Sequence, residues 1–141
     1  MPVQSTPLRE DPAEAAERVH QRIEEVLEQR QLLHNQRQNR ALELLKSLLT
    51  PEQWADYTAN QAFIVRGSDG VEYEIEHGTN GNVIARLEDR RVRYCAHPRL
   101  WDSTTRTQLP VPDVLAAQVL ALKTDAPGFV AVANIHRVYL L

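Results

Sequence analysis

Cys95 and His97 are the side chains best spaced to act on each other. Two positions apart on an alternating segment, they share one face, where an imidazole could activate a thiolate or both could hold zinc. A structural zinc site needs four ligands, usually with paired cysteines, and His20, His34, His77 and His136 offer no ligand spacing. A nucleophile needs a third, orienting group and a cradle for the developing oxyanion, and the pattern contains neither. The pair reads as a half-buried cysteine beside a loop histidine. The sequence therefore nominates no catalytic, cofactor-binding or metal-ligating residue.

Glu72, Glu74 and Glu76 alternate with Val71, Tyr73 and Ile75 and form a carboxylate ladder. Carboxylates that work as an acid and base pair need environments that push their pKa values apart; a ladder at strand spacing describes a solvated face. Arg86, Arg91 and Arg93 fall on neighbouring segments and are placed to pair with it across strands. With Arg90 and Arg99 they make the one basic cluster, and Tyr94 and Trp101 lie close by as stacking candidates. Arg86, Arg91, Arg93 and Arg99 are accordingly the candidate nucleic-acid contacts, although Tyr94 points inward by parity and Glu88 and Asp89 dilute the charge. No glycine turn carries a phosphate-loop lysine.

These residues need a scaffold, and the scaffold is α+β. Asp11-Pro12 with Glu14 announces a helix, and no Gly or Pro interrupts the chain from there to Leu49. Val19, Ile23, Val26, Leu27 and Leu33 make one apolar seam on it. Ala41, Leu44, Leu45, Leu48 and Leu49 make a second, and the wholly polar stretch His34 to Arg40 separates them. The second seam suits the chain's own core. The first either folds back as a hairpin or offers itself to another chain. Thr50-Pro51 with Gln53 repeats the start signal for a short helix bearing Trp54 and Tyr57.

From Ala62 the period drops to two. Strands around Phe63, Tyr73, Ala85 and Val92, separated by Gly67-Ser68-Asp69-Gly70, Gly78-Thr79-Asn80-Gly81 and Asp89-Arg90, predict a four-stranded antiparallel meander with one wet face. An apolar helix opening at Pro112-Asp113 covers the dry face, a short helix starts at Asp125-Ala126-Pro127, and Ile135 to Leu141 is apolar enough to dock. This divides the chain into a loose tail (1–10), a helical region (11–60) and a compact α+β domain packed against C-terminal helices (61–141).

Composition sets outer limits. A net charge of −3 gives no global attraction to nucleic acid or to an anionic membrane. Arginine outnumbers lysine fourteen to two, which in an acidic chain reads as codon bias. The apolar runs are shorter than the ~20 residues that span a bilayer, and the first ten residues lack the apolar core of a signal peptide. One cysteine suits a reducing compartment. The expectation is a cytoplasmic protein with no membrane contact.

Gly67-Ser68-Asp69-Gly70 with Tyr73, Gly81-Asn82-Val83, Tyr94-Cys95-Ala96-His97-Pro98, Leu109-Pro110 with Asp113 and Leu115-Ala116, and Phe129 with Ala133-Asn134 occur in this order. The set resembles a family of small phage and prophage-associated proteins of actinobacterial type, over about residues 41–134. The resemblance implies a non-enzymatic accessory or regulatory role and carries no catalytic residues. The partner expected is a host or phage protein, or a second copy, held by Val19, Ile23, Val26, Leu27 and Leu33. A nucleic-acid-associated regulator and a virion structural component are the alternatives.

Overall fold

Caps and breakers set the helix boundaries. The computed structural model describes residues 9–97, 101–102 and 107–141; the N-terminal tail and most of the Ser/Thr/Arg-rich loop lie outside them. Asp11 accepts from the backbone N–H of Ala13 through its carboxylate (3.0 Å) and of Ala15 through its carbonyl (2.9 Å). Helix α1 (Pro12–Leu48) then runs unbroken, which overturns the hairpin alternative, since nothing between Ala13 and Leu48 breaks a helix. At α2 (Pro51–Asn60) both halves of a capping box form: Gln53 N–H donates to the Thr50 hydroxyl and Thr50 N–H to the Gln53 side chain. Gln61 ends it in the left-handed conformation, φ 56°.

The chain divides into two units, at Gln36/Arg37. The first consists of the N-terminal two-thirds of α1. The second therefore begins well before residue 61, because Ala41, Leu45 and Tyr57 are as buried as the sheet residues and Leu45 and Tyr57 belong to its core cluster. Leu44, expected to join them, is 47% exposed, since only one side of this stretch faces the core.

The sheet has five strands, not four, in the order β1 (Ala62–Arg66), β2 (Glu72–Glu76), β3 (Val83–Arg86), β4 (Arg90–Cys95) and β7 (Asn134–Leu140), all antiparallel. The apolar tail thus docks as a fifth strand on β4. Two short strands, β5 (Trp101–Asp102) and β6 (Thr107–Gln108), pair separately. Phe63, Val65, Tyr73, Ile75, Val83, Ala85, Val92 and Tyr94 point to one face and are buried under α3 (Val111–Val132), with Val114, Leu115, Val119, Leu122 and Phe129. By length and composition α3 is apolar enough to cross a bilayer, contrary to the expectation from short apolar runs. Here that surface is spent on the sheet. Lys123 Nζ also donates to the Leu48 carbonyl (3.2 Å), tying α3 to the end of α1.

The second C-terminal helix begins as expected at Asp125, but as a sharp bend within α3. Asp125 has φ −155°, ψ 71°, and the bend frees the Leu122 carbonyl and the Ala126 N–H. The turn between β1 and β2 takes both: Ser68 N–H donates to Leu122 O (2.9 Å), and Ala126 N–H donates to Ser68 Oγ (2.8 Å). Asp125 Oδ1 accepts from Gly128 N–H (3.0 Å) and restarts the helix before Pro127 can disrupt it. No residue larger than glycine fits at position 67, where a Cβ would stand 2.6 Å from the Tyr73 ring.

Candidate protein-interaction surfaces

The first surface lies on the N-terminal part of α1. Val19, Ile23, Leu27 and Leu33 are 53–59% exposed, Val26 is half-buried, and Leu32, which the sequence reading passed over, is 58% exposed. Val19, Ile23, Val26 and Leu33 follow the four-three spacing of a helix–helix seam, with Arg30 at the intervening position. Arg22, Ile23, Val26, Leu27 and Arg30 border a shallow groove of about 280 Å³. The flanks are held by His20–Glu24 (3.1 Å) and Arg22–Glu25 (3.3 Å). These exposed pairs keep the polar side solvated and add little stability.

The polar face of the sheet carries the carboxylate ladder and the arginines, and most of that charge is spent internally. Arg93 donates to both oxygens of Glu76 (3.0 and 3.3 Å) and to the Gly81 carbonyl (2.8 Å). The forked bond to Glu76 holds the guanidinium pKa above its ordinary value, against the opposing effect of burial. Arg86 approaches Glu72 at 3.7 Å. Arg91 does not pair with the ladder; it donates to the backbone carbonyls of Leu87 (2.6 Å) and Arg90 (3.3 Å). Arg99 lies outside the described residues. The structure thus brings Arg86, Arg91 and Arg93 onto one face, with two of the three already neutralised.

Cys95 lies against Asn80 Oδ1 (3.5 Å) and Thr79 O (4.0 Å), and His97 is exposed. Among the described residues no three His, Cys, Asp or Glu side chains are grouped to hold a metal ion. His77 accepts from or donates to the buried Tyr57 hydroxyl through Nδ1 (2.8 Å), and burial raises the pKa of that phenol.

Two features escaped the sequence reading. The first is a reciprocal amide pair: Asn82 and Gln118 are 3% and 1% exposed. Asn82 Nδ2 donates to Gln118 Oε1 (2.8 Å), and Gln118 Nε2 donates to Asn82 Oδ1 (3.1 Å) and to the Ala96 carbonyl (2.7 Å). A lone glutamine among the apolar residues of α3 was the available signal. The second is the rim of the sheet. An apolar cavity of about 400 Å³ lies between Tyr73, Ala85, Leu87 and Tyr94 of the sheet side and Pro127, Val130 and Ala131 of α3. Asp69 closes one end, accepting from the Tyr73 hydroxyl (2.7 Å); burial, then this bond and the carboxylate's charge, push that phenol well above its usual range. Beside it, Ile135, Val138 and Leu140 of β7 are 65%, 47% and 83% exposed.

No protein-family model matches this chain, and no curated protein and no solved structure matches it.

Proposed function

We propose that this chain is a non-enzymatic accessory module that docks on a protein partner through the N-terminal part of α1. The observation that carries the reading is the seam itself: Val19, Ile23, Leu27 and Leu33 are each more than half exposed along a stretch of helix made mostly of charged and polar residues. Burying four such side chains is worth roughly 1.5–3 kcal/mol apiece before ordering costs, enough to support association. The four-three spacing suits another helix, supplied by a second copy or by a host or phage protein. The resemblance to phage-associated proteins supports that choice of partner. A nucleic-acid regulator ranks second, because Glu72 and Glu76 already neutralise Arg86 and Arg93.

The test is a charged double substitution, Ile23→Glu with Leu27→Glu, at exposed positions where folding is unaffected. Light scattering over a concentration series reports self-association, and affinity purification with mass spectrometry reports other partners. The wild type should associate by one route and the variant by neither. A wild type that stays monomeric, and keeps the same co-purified proteins as the variant, refutes the reading. Steeply salt-dependent binding to DNA or RNA would move the second reading ahead.

A further inference from the structure

The two edges of the five-stranded sheet are treated differently. At β1 the edge is guarded: α2 packs beside it, and Gln53 Nε2 donates to the Ile64 carbonyl (2.8 Å). At β7 no described side chain or backbone group bonds to the outer edge, so a row of ladder donors and acceptors faces solvent. The edge carries no proline and no inward-pointing charge, its one irregularity is the bulge at His136, and the regular stretch Arg137 to Leu140 is of the kind that accepts a further strand.

The side chains of β7 specify what that strand would carry. Val138 pairs with Val92 and Ile135 with Tyr94, so both lie on the core face, as does Leu140 opposite Arg90. The helix that buries Val92 and Tyr94 does not reach them, and all three stay exposed. Tyr94 also lines the 400 Å³ apolar cavity, so this aliphatic row lies next to a space for a further side chain. On the opposite face the register sets Arg137 beside Arg93 and Tyr139 beside Arg91. Arg137 stacks over the Tyr139 ring at 4.9 Å and, like Arg91, has no carboxylate partner among the described residues, whereas Arg86, Arg90 and Arg93 each have one. In a chain of net charge −3, the open edge is locally basic.

We infer that the outer edge of β7 is a binding site for an extended protein segment whose residues alternate between aliphatic and acidic. Its backbone would continue the ladder as a sixth strand. Its aliphatic side chains would cover Ile135, Val138 and Leu140, and its carboxylates would meet Arg137. A nucleic acid would satisfy the arginines but leave the aliphatic row and the ladder groups uncovered. A second β7 would bring a second set of arginines onto the first. Charge and hydrophobic pattern therefore select the acidic peptide. This site is independent of the α1 seam.

The probe is a fluorescein-labelled peptide repeating Val-Glu-Tyr-Glu-Ile-Glu, the order of residues 71–76, titrated with the full chain by fluorescence anisotropy. Controls are the same peptide with lysine for glutamate, a scrambled order that breaks the alternation, and a single-stranded oligonucleotide. The alternating acidic peptide should bind, the scrambled one at least tenfold more weakly. Arg137→Glu, at an exposed position without an ion pair, should lose the acidic peptide and gain the lysine peptide. Ile23→Glu with Leu27→Glu should leave the titration unchanged, so failure here and failure of the α1 reading are separable. Equal binding of ordered and scrambled peptides, no binding at all, or tighter binding of the oligonucleotide overturns the proposal. So does a β7-mediated dimer that survives Arg137→Glu.

Discussion

Replacing Gln118 with leucine tests how the packing of α3 on the sheet is specified. The side chain is 1% exposed, and its amide makes three hydrogen bonds, two with Asn82 and one to the Ala96 carbonyl. Leucine keeps the volume and removes all three. Asn82 Nδ2 retains the Glu76 carbonyl (3.2 Å), but Asn82 Oδ1 and the Ala96 carbonyl are left unsatisfied. Each orphaned buried group costs about 1–3 kcal/mol. The apolar gain of leucine offsets up to about 2 kcal/mol of that. At the middle of that range, about 2 kcal/mol for each of the two groups, the net expectation is a loss of roughly 2–4 kcal/mol, which for a domain of this size lowers the midpoint by on the order of 10–25 °C. Urea and thermal unfolding followed by circular dichroism measure it. Adding Asn82→Leu should restore part of the loss, because removing both partners of a buried pair is cheaper than removing one. A Gln118→Leu variant within about 0.5 kcal/mol of the wild type would refute the reasoning, since the orphaned groups would then cost almost nothing.

Three further outcomes follow from the same geometry. Gly81→Ala should destabilise by about 1–3 kcal/mol in urea unfolding, because φ is +61° and a Cβ would stand 2.8 Å from the His136 ring. Thr50→Ala removes the cap of α2 and half of its capping box and should cost about 1 kcal/mol, with Thr50→Ser nearly neutral in the same assay. Asp113 titrates above its ordinary value of 3.8 because burial disfavours the carboxylate, with Arg37 only partly opposing. A folded-state pKa raised in this way favours the fold when the group is protonated, and that contribution is lost as pH rises through the folded value. Stability of the wild type relative to Asp113→Asn should therefore fall as pH rises from below the ordinary value of 3.8 through the raised one; a rising difference would contradict the assignment.

Strand β2 was the most legible because Val71-Glu72-Tyr73-Glu74-Ile75 alternates strictly between two glycine-bearing turns, and β1, β3 and β4 followed from short apolar runs set off by turns. β7 was not legible, and the register explains why. Arg93 pairs with Arg137 but Tyr94 with Ile135, so His136 is an extra residue and the strand is bulged. Ile135 and Val138 share a face although they are three apart, a spacing that belongs to a helix face and not to a regular strand. The α1 seam was visible as composition; that the helix runs through the polar stretch His34 to Arg40 without a break was not, because polar residues of good propensity neither demand nor forbid a helix. Asn82 and Gln118 are thirty-six positions apart, and no local pattern announces such a pair.

The bend in α3 carries a consequence for timing. Its two freed backbone groups are recaptured by Ser68, fifty-eight positions upstream of Ala126. Pro127 already disfavours a straight helix in the 111–132 segment, because its ring clashes with the Lys123 carbonyl; the two freed groups gain protein partners only when the β1–β2 hairpin exists to receive them. Before then, only water can satisfy the exposed amide and carbonyl. The expected order is therefore the hairpin before the locked bend and the locked bend before β7, which follows directly on the redirected helix. Assembly acquires a direction: a local contact forms first, a long-range latch second, and the rim strand last. Weakening the latch, as Ser68→Ala would, should slow the final step and leave the hairpin's own formation untouched.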